Sequence, residues 1–418
     1  MYVSDRLLAW KSARSVARNC GAAFGSAAFL ILGGCATQPE IRSTDPTPVI
    51  QETAEIPEEY LLDVGVRIFD PGLENVDHSE KDNPVFPEVR KAESLYAAVA
   101  LSDTLQSSAG WGSVRVIPDD PSPVDVLVDG KLIESNGERY AVEVTVRDVT
   151  GETWFTREYE QNASKYAYDR EYRDAGGARD VFQGVYNRIA NDMLEYRRSL
   201  DESQIKLART VSELKFAADF APAVFASHLV EERGRYQITR LPADGDPMIE
   251  RIRQIRERDQ MFFDTLQSYY GEFIGRMRAP YQDWRSESYH ETLALREVRR
   301  DARNRTLLGV ASVLAGILAA GSDSRVTRQA GNVAILGGAY MVRGGFDKRA
   351  ESRIHIDTLK ELGNSLSAEV APQVIELEDR TVTLTGTVEN QYAQWREILR
   401  EIYRTETGES LSDSPVTP

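Results

Sequence analysis

Two apolar stretches in the last third of the chain limit the folds that it can adopt. The first, "LLGVASVLAGILAAGS" at positions 307–322, lies in an uncharged segment of 17 residues between Arg305 and Asp323. A helix rises about 1.5 Å per residue, so this segment measures roughly 25 Å and falls short of the ~30 Å hydrocarbon core of a bilayer. The run therefore favours a packed helix over an independent membrane span.

Small residues recur along both stretches at the spacing of closely packed helices. After the polar turn "SDSRVTR", the second stretch, "QAGNVAILGGAYMVRGG", covers positions 329–345. Small residues four apart let another helix approach closely. The pair resembles the glycine-zipper hairpins of bacterial envelope proteins, and its predicted helix-packing residues are Gly309, Ser312, Gly316, Ala320, Ala330, Ala334 and Gly338.

The first 34 residues have the layout of an export signal. Four basic residues stand against one acid and precede the apolar run "GAAFGSAAFLILGG". The following motif, Leu32-Gly33-Gly34-Cys35, resembles the lipobox of bacterial lipoproteins. The resemblance implies that residues 1–34 are removed and that Cys35 carries the lipid anchor. Ala36 at the next position implies sorting to the outer membrane, facing the periplasm. The alternative is an ordinary export signal that ends next to a cysteine.

Export across the inner membrane favours some structures of the two apolar stretches over others. A buried helical hairpin in a soluble domain or oligomer fits best, and a hairpin that lies against or enters the bilayer stays open. Two conventional spans fit poorly, because strongly apolar helices of about 20 residues tend to be stopped at the inner membrane. These stretches are shorter and rich in alanine and glycine.

Charge and cysteine content exclude some partners. The chain has a net charge of −16, and loss of a signal segment with four basic residues and one acid makes it about −19. That excess works against binding to nucleic acid or anionic lipid surfaces, which need a cationic face. The other cysteine, Cys20, lies in the segment that is removed, so no disulfide is expected.

The sequence predicts an α+β protein. After the export signal, its segments are predicted in turn from composition and residue pattern. Residues 35–59 are rich in Pro, Thr and Glu and predict a flexible tether. Residues 60–165 predict a small α/β domain: a strand, a long helix, a short strand and an antiparallel meander. Its stretches Asp125–Gly130 and Asp148–Gly151 resemble the periplasmic domain of the curli-secretion lipoprotein, the penicillin-binding-protein activator lipoproteins and the TolB amino-terminal domain. That resemblance implies protein contacts and supplies no active site.

The remaining segments predict mostly helices. In the helical region 178–304, one long amphipathic pattern reaches Phe220, and two or three further helices follow the loop "RLPADGDP". The hairpin covers 305–346, a small αββα module covers 350–405, and 406–418 is a disordered tail. The sequence "VTLTGTV" in the module resembles a BON domain, which implies envelope or phospholipid attachment. Arg380 in place of the usual turn glycine, and no third strand after Tyr403, depart from that pattern.

No catalytic constellation is evident. The four histidines lie far apart, and no nucleophile, phosphate or zinc motif is present, so no cofactor or metal is predicted. Asp244, Asp246 and Glu250 fit a turn and helix cap better than a cation site. The larger aromatic set fits a core better than a ligand groove: Phe262, Phe263, Tyr269, Tyr270, Phe273, Tyr281, Trp284 and Tyr289.

The features together predict a non-enzymatic outer-membrane lipoprotein. Cys35 tethers it, the hairpin self-associates into a homo-oligomer, and the two α/β modules contact envelope proteins of unknown identity. One alternative is an oligomeric export or channel component. Another is a hydrolase that acts on peptidoglycan or glycan, which would need a pocket with converging carboxylates.

Overall fold

The computed structural model describes residues 47–75, 86–118, 123–164, 166–168, 180–319, 357–358, 360–361, 364, 373–376 and 381–408. After residue 290 of the long helix that ends at 319, side chains are described only at 292–294. The predicted export signal, Cys35 and the second apolar stretch lie outside the described residues.

A five-stranded mixed sheet forms the first part of the chain. The elements are β1 (Val64–Arg67), α1 (Pro87–Ser107), β2 (Val114–Ile117), β3 (Val126–Ser135), β4 (Arg139–Asp148) and β5 (Thr153–Asn162). The strand order is β2-β1-β3-β4-β5, with β1 parallel to β2 and β3 and with β3, β4 and β5 antiparallel. This confirms the predicted α+β class and the strand, helix, strand and meander order.

Strand alternation produces one buried face of the sheet. Tyr140, Val142, Val144 and Val146 occupy every second position of β4 and are each at most 1% exposed. On β1, Val64 and Val66 are buried with them. Helix α1 contacts β1, β2 and β3, so it covers this face.

Two helices follow the sheet where the sequence pattern predicted one continuous run. They are α2 (Gln183–Ser199) and α3 (Glu202–Phe220), followed by the short α4 (Pro222–Phe225). Leu200 is extended, and Asp201 forms a capping box with Gln204 that starts α3. The prediction was wrong here because the apolar stripe continues across a break that only the capping residues mark.

A small hairpin, which the sequence analysis did not predict, follows α4. It consists of β6 (Leu229–Glu232) and β7 (Arg235–Ile238). It contacts the β4–β5 turn, where the Tyr236 amide donates to the Thr150 carbonyl at 2.8 Å. A Cβ on Gly151 would lie 2.0 Å from the Gly234 carbonyl oxygen, so the turn needs glycine there.

The region after the hairpin is a single helix, α5 (Pro247–Ala319), of 73 residues. The prediction of two or three helices before residue 305 was wrong. Pro280 lies inside α5, and a proline removes one helical hydrogen bond. Met277 and Tyr281 on either side of it are buried, so packing holds the helix together across this point. At 1.5 Å per residue α5 is about 110 Å long.

The carboxyl-terminal segment packs against α5. It contains β8 (Gln373–Glu376), β9 (Thr381–Leu384) and α6 (Val388–Thr407), which confirms the predicted order of strand, strand and helix. Val388 begins α6, and the Thr387 hydroxyl caps the helix by accepting from the Asn390 amide. The Tyr392 ring lies 5.3 Å from that of Phe262 and 5.2 Å from that of Phe263. The helix predicted before β8 is described at only five positions, 357, 358, 360, 361 and 364, each of which is helical.

Part of the predicted flexible tether is bound to the body of the protein. The Ile50 amide donates to Asn191 Oδ1 at 2.7 Å, and the Glu52 amide donates to the Ser108 carbonyl at 2.7 Å. Glu52 also pairs with Arg198 at 3.0 Å. The tether prediction is therefore wrong for residues 47–52. Composition alone does not show that a neighbouring helix satisfies their backbone groups.

Buried side chains of the sheet, of α1 to α6 and of β8 and β9 belong to one continuous hydrophobic cluster. The described residues lie within one compact unit. The apolar contacts that hold α5 and α6 are therefore continuous with those under the sheet.

Candidate interaction site on the long helix

Three of the predicted helix-packing residues lie at the end of α5. Gly309, Ser312 and Gly316 fall within its last 13 residues, from Leu307 to Ala319. Spacings of three and four residues place them on one face of the helix. Ala320, Ala330, Ala334, Gly338 and Cys35 lie outside the described residues. Over the residues that the structure describes, no helix is both long and apolar enough to cross a membrane.

The buried arginine of α5 joins the helix to the body. Arg285 is fully buried and donates to Asp180 Oδ2 at 2.7 Å and to the Tyr281 hydroxyl at 2.6 Å. Its guanidinium carbon lies 3.9 to 5.7 Å from the ring centroids of Tyr281, Phe182, Tyr96 and Tyr140. Aromatic faces and a carboxylate together offset the cost of removing this charge from water.

The hydrogen bonds around Arg285 continue into α1 and β3. The Tyr281 hydroxyl donates to Glu93 Oε1 at 2.9 Å, and Ser135 Oγ donates to the same oxygen at 2.6 Å. The Tyr96 hydroxyl donates to Asp180 Oδ2 at 2.6 Å. Burial, followed by the charge of Asp180, raises the pKa of Tyr96 well above its usual range. The phenol therefore stays a neutral donor, and the network ties α5 to three other parts of the chain.

The β3–β4 turn touches the backbone of α5 at the same level. A Cβ added to Gly137 would lie 2.1 Å from the Arg285 carbonyl oxygen and 2.9 Å from the Tyr289 amide nitrogen. The Tyr168 hydroxyl donates to the Gly137 carbonyl at 2.5 Å, and the Tyr168 and Tyr289 rings lie 5.1 Å apart. Tyr289 is the last residue of α5 that is buried among its described side chains. Leu307 follows it by 18 residues, or roughly 27 Å along the axis.

A second contact holds α5 against the edge of the sheet. Val116 is on β2, an edge strand; its amide donates to Gln267 Oε1 at 3.0 Å, and Gln267 Nε2 donates to the Val116 carbonyl at 2.9 Å. The side-chain amide thus bonds as a neighbouring strand would. Arg115 pairs with Asp264 at 2.9 Å beside it. Contacts at residues 264–267 and at 285 fix both the position and the rotation of the helix.

The other residues weighed as functional candidates have structural roles. Asp246 Oδ1 accepts from the Met248 amide at 2.8 Å, which confirms the cap interpretation. Within the described part of the chain, no group of His, Cys, Asp and Glu is arranged to hold a metal ion. Seven of the eight aromatic residues are buried, which confirms the core interpretation, and Tyr269 is half-buried. His228 and His290 lie on different elements; His78 and His355 lie outside the described residues.

The two motif stretches of the sheet domain build turns and strand contacts. Asp148 Oδ1 accepts from the amide and the hydroxyl of Thr150, and Asp148 Oδ2 accepts from Trp154 Nε1 at 3.2 Å. Gly151 has a φ of +93° in the same turn. Asp125 is 3% exposed and accepts from the Asp63 amide at 2.9 Å. These acids hold the fold and do not converge on a pocket with each other.

The Arg285 network was not predicted from the sequence. Arg285 lies four residues after Tyr281 and four before Tyr289, within the aromatic stripe that the helical spacing placed in the core. An arginine in a buried stripe signals a buried ion pair, because a fully buried arginine is almost always paired. Its partners, Asp180 and Glu93, come from distant segments and carry no local signal.

Comparisons with known proteins identify no relatives from which a role could be transferred. No protein-family model matches the sequence, and no curated protein of similar sequence was found. One solved structure was found to be similar, that of a Xanthomonas campestris protein described under the DUF330 family. The match covers 36% of this chain and 90% of that chain at 11% identity, with a TM-score of 0.22. A likeness at that level supports no conclusion about fold or function.

Proposed function

We propose that this protein is a lipoprotein anchored to the outer membrane, facing the periplasm, and that it acts as a structural or assembly factor of the cell envelope. In this proposal Cys35 carries the lipid, the end of α5 associates with a second copy, and the folded body contacts envelope proteins. The proposal assigns it no catalytic step, cofactor, metal or nucleic acid.

The observation that carries the proposal is the continuity of α5. One helix leads from the buried contacts of Gln267 and Arg285 to Gly309, Ser312 and Gly316 without a break. Each helical residue turns the chain by a fixed angle, so the orientation of the small-residue face follows from the contacts of the body. A face held in this way can set the geometry of an assembly, whereas a hairpin on a flexible linker cannot.

Disulfide trapping in the intact envelope tests the self-association. Ser312→Cys places one thiol on the proposed face, and the proposed acylation of Cys35 leaves no other thiol in the mature chain. A disulfide forms only between cysteines whose Cα atoms are about 4.4–6.8 Å apart. We expect a covalent dimer, because the proposed association brings position 312 of two copies that close together. The matched control is Gly275→Cys, at an exposed position of the same helix with no side chain near it. Absence of the Ser312→Cys dimer, or equal trapping at both positions, would contradict the proposal.

Fractionation tests the anchor separately. Wild type should incorporate labelled palmitate and sediment with outer membranes, whereas Cys35→Ser should lose the label and enter the periplasmic fraction. Unchanged labelling of Cys35→Ser would show that another site is acylated, and unlabelled wild type would show that the lipobox assignment is wrong.

A further inference from the structure

An open cleft lies on the side of the molecule formed by the sheet, α3 and the β6–β7 hairpin. Its volume is about 670 Å³, within the range of sites that bind small molecules. Much of its lining is apolar and comes from Val124, Leu127, Val149, Ala218, Ala226 and Leu229. Residues 309–316 at the end of α5 take no part in it.

Three cationic side chains line the cleft from three different elements. Arg67 comes from β1, Arg147 from β4 and Lys215 from α3. Asp129 pairs with Arg67 at 3.0 Å and with Arg147 at 2.8 Å, so one carboxylate serves two guanidinium groups. Within the described part of the chain no carboxylate lies in ion-pair distance of Lys215, whose ammonium lies 3.9 Å from the Tyr236 ring centroid.

The acids that line the cleft already have partners. Asp148 accepts hydrogen bonds from its own turn, and Asp219 pairs with Arg396 at 2.6 Å. Glu231 lies across the hairpin from Tyr236, and this carboxylate is the main cause of the raised pKa of Tyr236. Neutral neighbours do not cancel the charges of Asp148 and Glu231, so the cleft holds acids as well as cations. The group that it leaves without an ion-pair partner among the described residues is the ammonium of Lys215.

Burial disfavours the charged form of Lys215. The side chain is half-buried, and burial, with Arg147 adding to it, lowers the pKa of Lys215 against the opposite effects of Glu231 and Asp219. Two cations that face one cleft and repel each other are stabilised when an anion enters. The apolar lining next to them favours a ligand that carries a hydrocarbon body with that anion.

We propose that this cleft binds a small anionic amphiphile, with a phosphate or carboxylate head near Arg147 and Lys215 and an apolar body against Val124, Leu127 and Leu229. The inference is separate from the proposed self-association, because it uses none of the residues at the end of α5. It assigns the folded body a ligand in addition to protein contacts.

Calorimetric titration of the purified full chain tests the proposal. The probes are octyl phosphate and octanoate, with inorganic phosphate as the head alone and 1-octanol as the tail alone. We expect one site for octyl phosphate, octanoate or both, and at least tenfold weaker binding of inorganic phosphate and of 1-octanol. The stronger of the two anionic probes identifies the head group. Failure of both to bind, or equal binding of 1-octanol, would overturn the proposal.

Variants locate the site. Lys215→Met removes the charge at similar length and should weaken binding of the anionic probe about tenfold, the value of one charge-assisted hydrogen bond. The matched control is Lys206→Met on the same helix, where the ammonium is exposed and lies over Tyr60; it should bind as wild type does. Ala218→Leu, which keeps every charge and fills the apolar part, should also weaken binding. If Lys215→Met and Ala218→Leu both bind the anionic probe as tightly as wild type does, the ligand does not bind in this cleft.

Discussion

Arg285 shows how single residues hold this fold together. A buried guanidinium is stable only while its charge and its donors have partners, and here Asp180, Tyr281 and the surrounding rings supply them. Removing the arginine leaves Asp180, whose side chain is 5% exposed, without its opposite charge.

We expect Arg285→Met to lower the free energy of unfolding by about 3–5 kcal/mol, the usual cost of breaking a buried pair from one side. Arg276→Met, at an exposed position of the same helix, should change it by less than about 0.5 kcal/mol. Urea denaturation followed by circular dichroism measures both. Equal midpoints for the two variants would show that the buried network does not stabilise the protein.

The buried carboxyl of Asp125 makes the free energy of unfolding depend on pH. Burial, followed by the charge of Asp63, raises the pKa of Asp125. A raised carboxyl pKa adds stability below the unfolded pKa, about 3.9, and this stability is lost as the pH rises through the folded value. The free energy of unfolding of wild type relative to Asp125→Asn should therefore fall as the pH rises from about 4 to neutral.

The control is the same comparison with Asp244→Asn, which removes one carboxyl at an exposed position and leaves the buried site intact. Denaturant titrations at several pH values measure both differences. A wild-type advantage over Asp125→Asn that grows with pH would contradict the buried, raised carboxyl.

At the scale of elements, the β3–β4 turn and α5 meet through their backbones. Gly137 has a φ of +75° and lies against the Arg285 carbonyl, whereas Gly245 has a φ of +70° and no atom within 4 Å of an added Cβ. The two glycines share the backbone strain that an alanine would suffer, and only Gly137 adds a collision.

Gly245→Ala should lower the free energy of unfolding by about 1–2 kcal/mol, the cost of a left-handed conformation with a Cβ. Gly137→Ala should cost about 1–3 kcal/mol more, because the turn must move away from α5. Thermal and urea unfolding measure this difference. Equal losses for the two variants would mean that the turn and the helix are not in tight contact.

Elements with a clear local signal were predicted from the sequence, and those held by distant contacts were not. Alternation in β4 and the Asp148–Gly151 turn give the meander directly. The β6–β7 hairpin turns at Arg233 and Gly234, both with positive φ, and arginine at the first of these positions does not signal such a turn as asparagine does. The continuity of α5 was not predicted, because the buried neighbours that hold the helix together across Pro280 are visible only in the structure.

The candidate site likewise has one part that follows from local sequence and one that depends on distant contacts. Gly309, Ser312 and Gly316 were predicted because helical spacing is a local property. The orientation of their face depends on Gln267 with Val116 and on Arg285 with Asp180, pairs separated by 151 and 105 residues. No local pattern reveals such pairs.

In the whole molecule, the proposed role of α5 is to link a folded body to a self-associating end. One cluster of buried side chains joins the sheet to α5 and α6, so a change at the tip of α5 should alter assembly without unfolding the body. A leucine at Gly316 would fill the small-residue face and keep a second helix away.

The most direct test is the native mass of complexes extracted in detergent. Wild type and Gly275→Leu, which adds the same side chain at an exposed position of α5, should share one oligomeric mass. Gly316→Leu should give a smaller complex or a monomer, with the circular dichroism and melting temperature of wild type. An unchanged mass for Gly316→Leu, or a monomeric wild type, would contradict self-association through the end of α5.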